Sequence, residues 1–200
     1  MGGKQAMHGT KLAAVLTMAL AMGGCVNLGG AKAPPLLMTL TPAAMAPAGS
    51  SLSGKPAEVL VINEPETDRR LSVQRVPVQV DEANVAYLQK ALWVERPSRL
   101  FQRLLAETLR AKGTRLVLEA GDTQARGAAM LSGRLVDMGY DARSRSVVVR
   151  FDALREAGGA LTTRRFEAVE RGVAPDAASV APALNRAANK VAAEVADWVG

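Results

Sequence analysis

One cysteine serves the entire chain and it sits directly behind a short apolar run, so no disulfide can form within the molecule and packing must hold the fold. The run, Leu12 to Met22, is 11 residues long. A bilayer core needs about 20. With Lys4 and Lys11 around its start and Gly23-Gly24-Cys25 behind it, the segment reads as an export signal, residues 1–24. Cleavage between Gly24 and Cys25 removes His8, the only histidine, and leaves 176 residues with 23 basic and 19 acidic side chains, a net charge of +4. Without histidine, and with its one thiol at the new terminus, the chain cannot assemble Ser-His-Asp or Cys-His catalysis or a His or Cys metal site. Carboxylate, lysine and serine chemistry are all that an enzyme on this scaffold could use.

Small residues, then Cys25, behind an apolar run resemble the lipobox of bacterial lipoproteins, with Met22 where leucine is commonest. The resemblance implies that Cys25 becomes the acylated first residue. Several acyl chains hold a protein to a bilayer stably where one does not. The next residue is Val26, and aspartate there would resemble an inner-membrane retention signal, so the expected location is the outer membrane, facing the periplasm. The bland alternative is a plain secretory signal that leaves Cys25 as a stray thiol.

Residues 25–57 hold five of the ten prolines (Pro34, Pro35, Pro42, Pro47 and Pro56) and many small residues, a tether composition. The ten residues from Val26 to Pro35 would span roughly 30 Å at the rise of Pro-rich chain. Within the tether, LLMTLT at 36–41 reads as a first strand, and 42–57 as a long surface loop. The folded domain is expected over 58–200.

Val59 to Ile62 is a short continuous apolar run, as in a strand buried on both faces. From Leu71 to Val80 the inward parity shifts near Arg75, which predicts a bulge or a break. Pro97 and Ser98 suit a helix start and Gly113 the residue past its end. Between them Leu100, Phe101, Leu104, Leu105 and Leu109 form one stripe. Strands are predicted at 115–119, 128–140, 146–154 and 160–171, the last three as a meander. In the third of these four, Val147, Val149, Phe151 and Ala153 alternate with Val148, Arg150 and Asp152. A closing helix over Asp176–Val199, about 36 Å long if unbroken, repeats Val180, Leu184, Ala187, Ala188, Val191, Val195 and Trp198 at helical spacing. The expected architecture is α+β, a mainly antiparallel sheet with both amphipathic helices on one face in a two-layer sandwich.

Glu64-Pro65, Arg75-Val76, Tyr87-Leu88, Trp93, Arg96 and the helix after Pro97 resemble the ABC-type transport auxiliary lipoproteins, the group that includes paraquat-inducible protein C. The hairpin GRLVDMGYDARSRSVVVRFDAL, Arg165-Phe166 and the final helix with Trp198 look like that family too, and LLMTLTP resembles its usual first strand with Leu37 in place of a common aromatic. The resemblance covers about 58–199. It implies a non-enzymatic component of an MCE-type lipid transport system. Its partners would be a periplasmic MCE-domain protein and, through it, an inner-membrane ABC permease and ATPase.

Tyr87, Trp93 and Arg96 are candidate contacts to lipid or partner, in a groove between helix and sheet. Arg69-Arg70, Arg143 with Arg145 and Arg164-Arg165 are candidate sites for a phospholipid head group. From a different class, Asp137 and Asp141 could serve as the paired carboxylates of a wall-acting glycosidase, although arginines stand near both. A lipid-binding or envelope-structural lipoprotein without a transporter partner is the remaining alternative. No catalytic residue, cofactor or metal is expected. Nucleic acid is not expected as a partner, with seven aromatics and an exported chain. No phosphate-cradling glycine loop is present, so the chain is not the ATPase.

Overall fold

The computed structural model describes residues 36–55, 58–120 and 129–200. The expected export signal, with its expected cleavage between Gly24 and Cys25 and acylation at Cys25, lies outside the described residues. Among the described residues, eight strands and two helices follow in the order β1 (Leu37–Met38), β2 (Leu60–Ile62), β3 (Arg75–Gln79), β4 (Val85–Trp93), α1 (Pro97–Lys112), β5 (Val117–Glu119), β6 (Ala129–Asp141), β7 (Ser146–Ala157), β8 (Ala160–Arg171) and α2 (Ala177–Val199).

β6 is the trunk of the sheet. Along one edge it pairs antiparallel with β7, which pairs antiparallel with β8. Its other edge is shared: Leu60–Ile62 of β2 run parallel to Ala129–Leu131, and Val78–Gln79 of β3 run parallel to Tyr140–Asp141. The chain between β2 and β3 follows that edge, with Asn63 N–H donating to Leu131 O and Glu66 N–H to Gly133 O. Beyond β3 lie β4, antiparallel, and then β1, parallel to β4; β5 lies parallel beyond β2. The expected mainly antiparallel sheet is therefore a mixed one. The long β6–β7–β8 meander is antiparallel, because tight turns join its strands. β1, β2 and β5 enter from distant parts of the chain and pair parallel, which short turns cannot produce.

Both helices cover one face. α1 begins at Pro97, whose missing N–H costs nothing at a helix start. It ends at Gly113, at φ 65°, whose N–H returns to Arg110 O. α2 is capped by Asp176, whose side chain accepts the Ser179 N–H. The leucine stripe of α1 and the Val/Ala stripe of α2 meet Val147, Val149, Phe151 and Ala153 of β7, and all are buried. Phe101 packs edge-on against Phe151 at 5.3 Å, and Phe166 against Trp198 at 5.7 Å. Alanines on α2 let the helix approach the sheet closely. Among the described residues no helix is long and apolar enough to cross a membrane.

β4 has no counterpart in the sequence expectations. Its inward residues are Leu88, then Ala91 and Trp93, so parity changes within the strand. Lys90 has φ 58°, and β4 places four residues between Tyr87 and Leu92 where β3 places one between Pro77 and Arg75. The parity shift near Arg75 thus answers an irregular ladder whose extra residues belong to the partner strand. The segment read as tether also joins the fold. Leu37 and Met38 form β1, shorter than the strand expected over 36–41. Thr41 N–H donates to Asn185 Oδ1 at 2.8 Å, Ala43 N–H to Asn189 Oδ1 at 2.7 Å and Ala46 N–H to Glu107 Oε1 at 2.8 Å, which ties this stretch to both helices.

Candidate interface on the open sheet face

The face of the meander turned away from the helices is organised by strand parity. On β7 the outward residues are Val148, Arg150, Asp152 and Leu154, and on β8 Thr163, Arg165, Glu167 and Val169 stand beside them. On β6, Arg134 and Asp137 are three residues apart and would fall on opposite faces of a regular strand. The ladder slips by one residue between Leu135 and Asp137, so that Val136 is the extra residue. That bulge returns Asp137 to the outer face.

Two rows of alternating charge result. Arg134, Asp152 and Arg165 stand in register across β6, β7 and β8, and Asp137, Arg150 and Glu167 form the next row. Arg165 holds Asp152 through two hydrogen bonds of 2.6 and 2.7 Å, and Arg134 reaches Glu66 at 3.4 Å. In the other row Asp137 receives Arg70 at 2.8 Å and Arg150 at 2.6 Å, Arg150 also reaches Glu167 at 2.5 Å, and Arg70 is held by Asp68 at 2.9 Å. A groove of about 870 Å³ runs beside the first row, lined by Asn63, Glu64, Glu66, Arg134, Asp152 and Arg165 among others. A smaller hollow of about 400 Å³, with Arg70, Asp137, Asp141, Arg143 and Arg150 in its wall, lies beside the second.

These pairings set the proton affinities. Hydrogen bonding to Arg165, aided by the charge of that guanidinium, holds the Asp152 carboxyl below the usual carboxylate range and raises Arg165 in return. At Asp141 burial acts the other way, but hydrogen bonds from the Arg143 side chain and from the Arg143 and Ser144 backbone prevail and its pKa is lowered. Burial opposes the charge of Arg70, yet Asp137 and Asp68 outweigh it and push the guanidinium up. Asp137 and Asp141 are thus arginine-paired carboxylates. A glycosidase's general acid needs a raised pKa, and Asp141 is shifted the opposite way.

The expected contact residues do not share one groove. Trp93 is 1% exposed and belongs to the core, and its Nε1–H has no hydrogen-bond partner among the described residues. Tyr87 is half-buried beneath the Arg75 guanidinium, which lies 4.6 Å from the ring centroid, and its hydroxyl reaches Arg70 O at 3.5 Å. Arg96 is exposed and pairs with Glu64 at 3.6 Å, while Glu64 also accepts the Ser98 hydroxyl at 2.6 Å. Of the head-group arginines, Arg70, Arg143 and Arg165 are committed to carboxylates, and Arg164 lies over the Phe166 ring at 5.0 Å. Among the described residues no cluster of His, Cys, Asp or Glu has the arrangement of a metal site. The charged rows were missed in the sequence. The alternation Arg150/Asp152 against Arg165/Glu167 signals two of the three strands, whereas Asp137 joins them only through the bulge.

The model of the ABC-type transport auxiliary lipoprotein component matches residues 39–196, from just after β1 to the last turn of α2. The chain belongs to this family. A crystal structure of a protein from Xanthomonas campestris superposes with a TM-score of 0.68 at 14% identity, covering 82% of this chain and 94% of the other. A second crystal structure, of a protein described only as uncharacterized, gives 0.63 at 12% identity, covering 82% of this chain and all of the other. At such identities the likeness is one of fold. No curated protein sequence matches the chain. The auxiliary lipoprotein is therefore a transport-associated component built on a mixed sheet with one helical and one charged face.

Proposed function

We propose that the chain is an outer-membrane lipoprotein, acylated at Cys25 and facing the periplasm, that acts as the non-enzymatic auxiliary component of an MCE-type lipid transport system. Its task is to hold the periplasmic MCE-domain protein, fed by an inner-membrane ABC permease and ATPase, against the outer membrane. The observation that carries this reading is the family domain placed immediately behind a lipobox: 11 residues separate Cys25 from β1. At the rise of Pro-rich chain they reach roughly 35 Å, so whatever the domain grips is kept close to the lipid. The open face suits a polar partner surface. Its arginines and carboxylates are already paired, so a partner can exchange ion pairs without stripping bare charge.

Co-purification with a periplasmic MCE-domain protein from the same cells tests the docking role, using the native acylated protein and the soluble Cys25→Ser form. Both should retain the partner, and a photo-crosslinker at Thr163 should capture it. Failure of both forms to associate would remove the docking role. Intact mass showing a free thiol at Cys25 would remove the anchor.

A further inference from the structure

The far edge of the sheet, where the folded chain begins, carries a group of apolar side chains on the outer face. Leu37 of β1 stands in register with Leu92 of β4, and both are exposed, at 53% and 39%. Their neighbours Met38 and Trp93 turn inward and are buried. Val94, two residues beyond Leu92, is 44% exposed, and its N–H donates to Met38 O at 2.9 Å. Val73 is 38% exposed at the same end of the β3–β4 ladder, beside Gln74, whose carbonyl accepts the Trp93 N–H. Arg75 is in register with Leu92 and stacks on Tyr87, and the β4 irregularity brings exposed Lys90 within two residues of Leu92.

We infer that this β1–β4 edge rests on the phospholipid surface to which Cys25 is tethered, with Leu37, Leu92 and Val94 in the interface and Arg75 and Lys90 on its phosphates. The inference rests on the acylation reading above. Three observations select lipid as the occupant. The chain leaving β1 toward Cys25 is short, and it departs from Leu37 itself, so the anchor delivers this edge to the bilayer before any other. The patch combines exposed aliphatic residues, an aromatic ring and cations, the composition that seats a protein at a bilayer surface. Arg75 and Lys90 flank it with charge complementary to anionic head groups, and the one carboxylate beside Val94, Glu95, is held by Arg103 at 2.8 Å. β1 occupies the end of the sheet opposite β8, so the charged rows on β7 and β8 remain free of the membrane.

An acylated chain has no free thiol, so single cysteines can be introduced for an environment-sensitive fluorophore. The full acylated protein would be labelled at Val94→Cys, at Leu37→Cys and, as a control, at Leu161→Cys in β8, beside the distant β7–β8 turn. It would then be reconstituted in phosphatidylethanolamine–phosphatidylglycerol vesicles. Labels at 94 and 37 should shift to the blue and brighten severalfold relative to the unreconstituted protein, while the label at 161 stays as in water. Replacing phosphatidylglycerol with phosphatidylcholine should weaken the signal. Protein that floats with vesicles but leaves labels 94 and 37 in water would overturn the inference while keeping the anchor. Protein that does not float would instead defeat the acylation reading beneath it. A signal that follows protein concentration and not lipid would assign the patch to a second copy of the chain, which also overturns it.

Discussion

The two faces of the β6–β8 meander use the same strands for opposite purposes. Beneath the helices, Leu135, Phe151 and Phe166 line up in one dry row. One residue along, Arg134, Asp152 and Arg165 line up in a wet one. Area removed from water stabilises the first row, at about 25 cal/mol per Å² of apolar surface. The second gains little, since partly exposed ion pairs contribute about 0–1 kcal/mol each. The covered face therefore determines whether the chain folds. The open face is free to carry recognition.

The sharpest way to break this comparison is to truncate each row in turn. Phe151→Ala should cost about 3–5 kcal/mol in urea unfolding, because a ring packed against Phe101 leaves a cavity. Arg150→Met, in the charged row, should cost no more than about 1 kcal/mol. Equal losses would show that the charged rows are part of the structural core. Gly133→Ala comes next, for it affects both faces: a Cβ there would lie 2.1 Å from Asp152 O, and the residue holds φ 149°. We expect a loss of about 1–3 kcal/mol or more and, by hydrogen exchange, a weakened β6–β7 ladder.

Trp93→Phe tests a polar atom on the covered side. The substitution discards an indole N–H that has no partner among the described residues, so it should cost less than about 1.5 kcal/mol. Trp93→Ala should cost about 3–5 kcal/mol. A residue that touched ligand would show the reverse order in binding, with stability little changed.

The smallest effect concerns acid. Asp152 and Asp141 titrate below their unfolded values, so each contributes stability above the ordinary carboxylate pKa of about 3.9, and that contribution disappears as pH falls through the lowered folded value. Asp152→Asn should therefore flatten the loss of thermal stability on acidification below about pH 4 and leave the profile near pH 7 parallel to that of the parent. An unchanged acid limb would mean that the Arg165 pair does not persist in solution.

Much of the architecture was legible because it depends on local pattern. The leucine stripe between Pro97 and Gly113, the α2 stripe and the alternation along β7 each report a face and a period. β4 was not legible, since its irregularity at Lys90 breaks the period-two signal that reveals strands. The mixed sheet was not legible either. β1 and β2 are two and three residues long, and nothing within such short runs states which partner they will find. The three residues expected to gather at a contact separate for a similar reason: Trp93 and Tyr87 lie on either side of the irregularity, and Trp93 turns to the core.

By itself the sequence determined the chemistry available to this protein. Past Cys25 it has neither thiol nor imidazole, and its helices and meander strands are written in hydrophobic periods. Tertiary structure alone decided which charges meet. Bringing Arg70, Arg134 and Asp137 to the rows of β7 and β8 requires a bulge at Val136 and a connection folded along the β6 edge. Periodicity describes one strand at a time, whereas an ion pair depends on the register between strands, and that register is set only when the sheet closes beneath its helices.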